Sequence, residues 1–324
     1  MAELEIALAT FQSEKYLRVQ LASLFSQSYQ DFSILVADDG STDATLDILT
    51  EYVTAYPGKI RILKFEARAG GACQNFARIL DQAQSDYLMF CDHDDIWLNN
   101  KIEVSLSRMK DVESNFGREM PILVHTDLSV VGPDLAPQFP SFTRHEKLLP
   151  GKSDLRRLAM QNNVTGCTAL LNRALYELAR PIPHDAPMHD WWIALVASAF
   201  GKTAFIPQST ILYRQHGKNS VGITKQRNVA DLFYKFVNFL RGRNGGGQER
   251  LLRVTQQAKL FRDRYASSLT PRQYILISSL ADIWSLSAPV RVWILVSNRF
   301  FAFRPMRTAE LLIAAFGRRR SAPP

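Results

Sequence analysis

The sequence predicts an α/β fold: a mostly parallel sheet flanked by helices, followed by an α-helical appendage. Three observations predict it. Short apolar runs with strand character alternate with helical-period segments over the first hundred residues; polar, often acidic, clusters follow several of the apolar runs; and the last hundred residues change to basic, aromatic helical segments. Parallel sheets of this kind bind ligands beyond the carboxyl ends of their strands.

In order, residues 4–9 read as a first strand, and residues 16–25, with Leu17, Leu21 and Leu24 on one face, as the helix after it. Residues 32–37 form a second strand, ended by Asp38-Asp39-Gly40-Ser41-Thr42-Asp43, where Ser41, Thr42 or Asp43 is placed to cap a helix carrying Leu46, Ile48, Leu49 and Val53. A third strand over 60–63 leads through Arg68-Ala69-Gly70-Gly71 to a helix around 76–83. The apolar run Tyr87-Leu88-Met89-Phe90-Cys91 is a buried strand that delivers Asp92-His93-Asp94-Asp95-Ile96-Trp97 at its end. Further on, 122–127 is a strand, 132–151 a Pro-rich connection, 191–200 an apolar helix, and 202–206 and 211–214 two short strands.

The acidic run is the chemical centre of this pattern. Three carboxylates and one imidazole at the mouth of a sheet suit a hard divalent cation, Mg²⁺ or Mn²⁺, whose shell a substrate diphosphate completes. The plainer reading is an acidic loop capping the helix that starts near Lys101. Thr10-Phe11, Asp38-Asp39, Arg68 and Asp92 to Asp94 all fall at strand ends, where Phe11 can stack on a base and Asp39 can accept hydrogen bonds from base or ribose. No G-x-G-x-x-G follows the first strand and no G-x-x-x-x-G-K-[ST] occurs, which excludes a Rossmann dehydrogenase and a P-loop NTPase.

Composition sets the bounds. With 324 residues, 46% hydrophobic and 22% charged, the chain can bury one large domain and an appendage. Its first residues lack a secretory pattern and no run reaches the roughly 18 apolar residues of a spanning helix, so a cytoplasmic protein is expected. Cys73, Cys91 and Cys167 are expected as reduced structural thiols. Residues 223–324 hold 18 Lys and Arg against 5 Asp and Glu, while the first 222 hold 21 against 26, so the net +8 resides wholly in the tail. An acidic site that needs a cation and a basic surface that meets something anionic are two separate jobs.

Together, Ala9-Thr10-Phe11, Gln27, Val36 to Asp43, Asp92 to Trp97, Asn163-Val164-Thr165-Gly166-Cys167-Thr168, His189-Asp190-Trp191-Trp192 and Tyr213-Arg214-Gln215-His216-Gly217-Lys218-Asn219 resemble a family-two glycosyltransferase of the GT-A fold. The acidic run followed by Ile-Trp is similar to the bacterial rhamnosyltransferase-like branch. The likeness spans about two-thirds of the chain and departs from the common pattern at Phe11-Gln12, where Tyr-Asn is frequent. It implies a GT-A-like, Rossmann-related domain over 1–222 and an inverting transfer of sugar from a nucleotide diphosphate to an acceptor hydroxyl. By the same resemblance Asp190 is the catalytic base. Ala9, Thr10, Phe11, Asp39, Arg68, Asp92, Asp94, Gly166 and Arg214 bind the nucleotide sugar, Trp191 and Trp192 the acceptor, and Asp92, Asp94 and His216 the Mg²⁺ or Mn²⁺. Arg214 and Lys218 are expected to clamp phosphate.

The implied donor is a nucleotide sugar such as dTDP-rhamnose, and the acceptor a glycan, lipid-linked, built into a cell-surface polysaccharide. A UDP-sugar donor, a sugar-phosphate nucleotidyltransferase and a non-catalytic membrane-associated binding protein are the alternatives. Residues 223–324 are read as a basic helical region. Leu232, Phe233, Phe236, Phe239 and Leu240 share one face, Arg241, Arg243 and a Gly-rich run follow, and residues 274–286 and 290–303 mix Trp284, Trp293, Phe300, Phe301 and Phe303 with Arg291, Arg299, Arg304 and Arg307. Peripheral contact with an anionic membrane and packing as a bundle or homo-oligomer interface stay open there, and nucleic acid is not expected because no binding module is present.

Overall fold

The computed structural model describes residues 2–151, 153–217 and 246–317. The amphipathic face at 232–240, Arg241, Arg243, Lys218 and the arginines at 318–320 lie outside the described residues. The described chain divides into two compact units: one of residues 1–146, 164–184 and 188–223, the other of 147–163, 185–187 and 224–324.

The first unit is built on a sheet of order β3-β2-β1-β4-β8-β6-β9-β5, with β7 paired to β6. Strands β1 (Leu4–Thr10), β2 (Phe32–Asp38), β3 (Ile60–Leu63) and β4 (Tyr87–Cys91) pair in parallel, with α1 (Leu17–Phe25), α2 (Thr45–Ala55) and α3 (Ala72–Leu80) between them. Every residue of β1 and β4 is buried, as expected of strands covered on both faces. Leu4, Ile6, Leu8, Ile34, Val36 and Met89 are fully buried in one core, each contributing about 1.5–3 kcal/mol by leaving water.

Beyond β4 the sheet is mixed. Strand β5 (Ile96–Trp97) and helix α4 (Lys101–Phe116) lead to β6 (Ile122–Val131), the short β7 (Pro137–Phe139) and α5 (Phe142–His145). Strand β8 (Ala169–Asn172) runs antiparallel to both β4 and β6, whereas β9 (Lys202–Arg214) is parallel to β6 and antiparallel to β5. The two short strands expected at 202–206 and 211–214 are therefore one long strand, whose register with β6 shifts near Asp127. The expected caps of α2 also differ. Its N-cap position is Ala44, and Asp43 instead accepts the Thr45 N–H at 3.1 Å from one residue earlier.

The acidic loop does not cap α4. The cap position is Asn100, and the Ile102 N–H is accepted by Gln27 Oε1 at 3.2 Å, while Gln27 Nε2 donates to Leu98 O at 2.8 Å. Buried Asn172 makes a second tie: its Oδ1 accepts from Ile122 N and caps α7 (Arg173–Ala179) through Leu175 N, while its Nδ2 donates to Met120 O at 2.8 Å.

Among the described residues of the second unit, α6 (Leu155–Met160) accompanies α9 (Gly246–Tyr265), α10 (Pro271–Ala281), α11 (Ala288–Ser297) and α12 (Pro305–Ala315). Leu251, Val254, Phe261, Ile277, Leu280, Leu295 and Leu311 are buried among them. Thr270 opens α10 with a reciprocal capping box to Gln273, ahead of Pro271.

Replacing Asn172 by Ala orphans two buried N–H groups and two carbonyls. We expect urea denaturation to show a loss of about 2–4 kcal/mol with an unchanged m-value.

Candidate active site

The carboxyl ends of β1, β2 and β4 meet at one edge of the sheet. At the first two, Asp38 organises the turn: its carboxylate accepts from Thr10 Oγ1 (2.9 Å), Ser41 Oγ (2.6 Å), Gly40 N (3.0 Å) and Ser41 N (2.7 Å). Gly40 has φ +80°, a conformation that favours glycine, and a Cβ there would stand 2.6 Å from Arg68 Nε and displace that side chain. Arg68 donates to Asp39 O at 2.8 Å and Gly40 O at 2.6 Å, and its guanidinium lies 5.1 Å from the centre of the exposed Phe11 ring. Gln12 takes φ +50° and bridges to Thr42 through both its side-chain polar atoms.

Asp39 is buried, and its carboxylate accepts the Ala69 N–H and, at 3.1 Å, the Gly70 N–H, with Arg78 at 3.5 Å. It thus closes the loop before α3 onto the loop after β2. Ala9 and Thr10 are buried strand residues that set the floor, and Phe11 and Phe65 are exposed aromatics of this half.

At the end of β4 the acids separate into two groups. Asp94 pairs with His216, Oδ2 to Nε2 at 2.7 Å, and the imidazole stacks on Tyr16 with centroids 5.0 Å apart. Asp92, Asp95 and Cys167 bring their ligating atoms within 4.8 Å of one another. Asp95 is fully buried and accepts the Arg214 backbone N–H at 3.1 Å. Burial and the neighbouring carboxylates raise both Asp92 and Asp95 above the ordinary range, and burial keeps the Cys167 thiol protonated.

The Arg214 expectation is corrected. Rather than standing free to clamp phosphate, its side chain is buried and donates to Asp94 O at 2.9 Å and Pro133 O at 2.7 Å, with its guanidinium 4.6 Å from the Tyr16 ring centre. It positions the acidic loop.

Lys101, unremarked in the sequence because a lysine at a helix start reads as solvated, is fully buried. Its Nζ lies 4.6 Å over the Trp97 ring and has no hydrogen-bond partner. Burial pushes its ammonium down to about 8, and Asp95 is among the groups that favour the charge. A cation in the first turn of a helix opposes the helix dipole, and the groups that favour it are Cys167, Cys91 and Asp95.

Asp190 is the second residue of α8 (His189–Phe200), whose N-cap is Met188, so it is no capping aspartate. Its Oδ2 accepts the Gly166 N–H at 2.9 Å, while its Oδ1 is buried without a hydrogen-bond partner. Burial pushes the carboxyl up to about 7, against the lowering by three backbone N–H groups. A Cβ on Gly166 would stand 2.8 Å from His189 Nε2, so close approach is what requires glycine there. His189 packs between Phe76 (4.2 Å) and Phe90 (4.8 Å), and burial lowers it to about 3, which keeps it neutral. Besides burial, the charges of Asp94 and Asp190 raise Asp92, so Asp190 lies near the acidic loop.

Trp192 is also corrected. It is fully buried, with its indole N–H donated to Ala179 O at 3.0 Å, and is a core residue with no face for an acceptor; Trp191 is half-buried.

The sheet edge thus gathers an exposed aromatic ring, several carboxylates and the half-buried Asp190. Residues 5–118 match the model of glycosyl transferase family 2. The chain is 30% identical over 229 residues to the dTDP-rhamnosyl transferase RfbG of Shigella flexneri, covering 66% of this chain and 73% of that protein. It is 26% identical over 189 residues to the Escherichia coli UDP-Glc:alpha-D-GlcNAc-diphosphoundecaprenol beta-1,3-glucosyltransferase WfgD, covering 57% and 67%. Among solved structures, S. aureus TarS 1-349 in complex with UDP superposes with a TM-score of 0.53 at 16% identity, over 95% of this chain and 90% of that one. The chain belongs to glycosyltransferase family 2 and has the GT-A fold.

Between about pH 4 and 7 the folded chain keeps a proton on Asp190 that an unfolded carboxyl has released, so its stability falls as pH rises across that window. We expect Asp190→Asn to unfold at a higher temperature than the parent above pH 7, by an amount on the order of 1–3 kcal/mol. A scan at pH 5 and pH 8 measures this: the gap between variant and parent is larger at pH 8.

Proposed function

We propose that this chain is a metal-dependent inverting glycosyltransferase that moves rhamnose from dTDP-rhamnose to a hydroxyl of a lipid-linked glycan during cell-surface polysaccharide synthesis. One observation carries the chemistry: Asp190 presents a buried, unpartnered Oδ1 of raised basicity beside the acidic loop. A base of pKa near the working pH is suited to take a proton in the transition state. In the proposed step Asp190 accepts the acceptor's hydroxyl proton as the oxygen bonds to the anomeric carbon, and the nucleoside diphosphate leaves from the opposite face with the bonding electron pair.

Asp92 and Asp94 offer hard oxygens and His216 a nitrogen beside Asp94, donor types that suit Mg²⁺ or Mn²⁺, while the ligating atoms that lie within 4.8 Å of one another are those of Asp92, Asp95 and Cys167. Cys167 lies close to Asp92, but a protonated thiol is a poor ligand for such ions. A divalent ion held there would supply Lewis-acid stabilisation to the departing diphosphate. Phe11 gives the base a ring to stack on, and Arg68, held on the Gly40 carbonyl, fixes that platform. We assign catalysis to residues 1–222 and a surface-binding or assembly role to 223–324.

The rhamnose donor is supported by the name of the RfbG relative, and a lipid-linked acceptor by that of WfgD. A UDP-sugar is the alternative donor, favoured by WfgD and by the UDP complex of TarS.

Calorimetric titration with dTDP, UDP and GDP, each with Mn²⁺, Mg²⁺ or chelator, tests the reading. We expect metal-dependent preference for dTDP; preference for UDP would keep the mechanism and change the donor, and no nucleotide binding would sink the proposal.

Asp94→Ala is expected to weaken metal-dependent nucleotide binding at least about tenfold. Asp190→Asn should leave that binding within about twofold while lowering kcat by roughly 10²-fold or more. Turnover in Asp190→Asn equal to the parent's would remove Asp190 as the base.

A further inference from the structure

Helix α11 is built inside out. Of its ten residues, Ile294 and Leu295 face the second unit's core, yet Val290 (41% exposed), Trp293 (67%) and Val296 (47%) face outward at helical spacing. The helix's one charged residue, Arg291, is the polar group turned inward. It donates to Leu286 O at 2.8 Å and to the carbonyls at the end of α12, Ala315 O at 3.2 Å and Gly317 O at 2.7 Å, with its guanidinium 4.9 Å from the Trp284 ring centre. A surface helix in water normally shows the opposite pattern. Phe301, just past the helix, is also exposed, and the neighbouring α10 exposes Tyr274 and Ile275.

Charge around this face has one sign. From Ile283 to Ala309 the chain carries Arg291, Arg299, Arg304 and Arg307 and no Asp or Glu. Arg299 is exposed at the turn that ends α11. Of the four arginines only Arg299 is exposed, and of the flanking acids Asp282 is paired with Arg262 and Glu310 is buried, so the face carries a cation that an anionic surface complements. At about 1.5 Å per residue a ten-residue helix is far too short to cross a bilayer, and no helix among the described residues is long and apolar enough to do so. A short helix with Trp and β-branched residues outward and arginine at its end suits the plane of a lipid interface.

We infer that α11 is a peripheral docking face for an anionic lipid bilayer, with Trp293, Val290 and Val296 entering the headgroup boundary and Arg299 meeting lipid phosphate. The inference stands on the second unit alone and does not depend on the transfer reaction. Trp293 supplies an amphipathic ring of the kind that settles at headgroup level, and the flanking valines add apolar area. Binding to such a surface weakens with added salt because the arginine contribution is screened.

Co-sedimentation of the full chain with phosphatidylglycerol-containing and pure phosphatidylcholine vesicles tests it, at low and high salt. The parent is expected to bind the anionic vesicles, and Trp293→Glu to lower the partition coefficient at least about tenfold. Arg299→Glu should lower it by several-fold and reduce its salt dependence. Trp293 is exposed, so both variants should match the parent in melting temperature and in metal-dependent nucleotide binding, which separates loss of docking from loss of fold. Binding that survives Trp293→Glu would assign lipid contact to another basic segment and overturn the inference. Equal partition into neutral and anionic vesicles, or no binding to either, would also overturn it. So would a concentration-dependent dimer, seen by light scattering, that Trp293→Glu dissolves without any vesicle binding by the parent.

Discussion

The structure of the site depends on keeping several carboxylates out of water at one edge of a sheet. Asp92, Asp94, Asp95 and Asp190 crowd the region after β4, and like charges so placed raise one another's affinity for protons. The fold answers with fixed cations and donors. Arg214 grips the loop backbone through Asp94 O and gives its own N–H to Asp95, Lys101 brings a buried ammonium from the start of α4, and Gly166 N–H holds one oxygen of Asp190. These groups hold the acidic loop in place while burial and mutual repulsion favour protons on Asp92 and Asp95.

The same constraint separates two roles among similar residues. Asp38 and Asp39 use their oxygens on backbone N–H groups of their own and the neighbouring loop, and are structural acids that shape the edge. Asp190 keeps Oδ1 without a hydrogen-bond partner between neutral His189 and the loop of Gly166, and burial raises its affinity for a proton as it does for Asp92 and Asp95. Family membership identifies the class of transferase, and the geometry supports the proposal that Asp190 is its base.

The second unit follows a different logic. Its core of Leu251, Phe261, Ile277, Leu280 and Leu311 is an ordinary helical core, so most of the aromatic and aliphatic residues of the tail are accounted for by packing. Among the described residues, packing leaves Tyr274, Ile275, Phe301, Phe316 and the outward face of α11 exposed, and the inward turn of Arg291 makes that face more apolar still.

Much of this was legible in the primary structure. The alternation of apolar runs and helical periods located the parallel half of the sheet to within a few residues, because strands buried on both faces must be continuously apolar. The acidic run at the end of β4, Gly166 and Asp190 were also readable, since their order along the chain marks a family pattern. The later strands were less so: β9 reads as two pieces because Pro207, Gln208 and Ser209 interrupt its apolar pattern where its register against β6 shifts. Side-chain direction was decided only in three dimensions. Arg214 turned from phosphate to backbone carbonyls, Trp192 went into the core, and Lys101 was drawn beneath the acidic loop. Sequence determines which chemical groups exist and which element carries them. Whether a given group faces solvent, substrate or core is set by neighbours many residues away, and burial by those neighbours is what fixes its charge and its role.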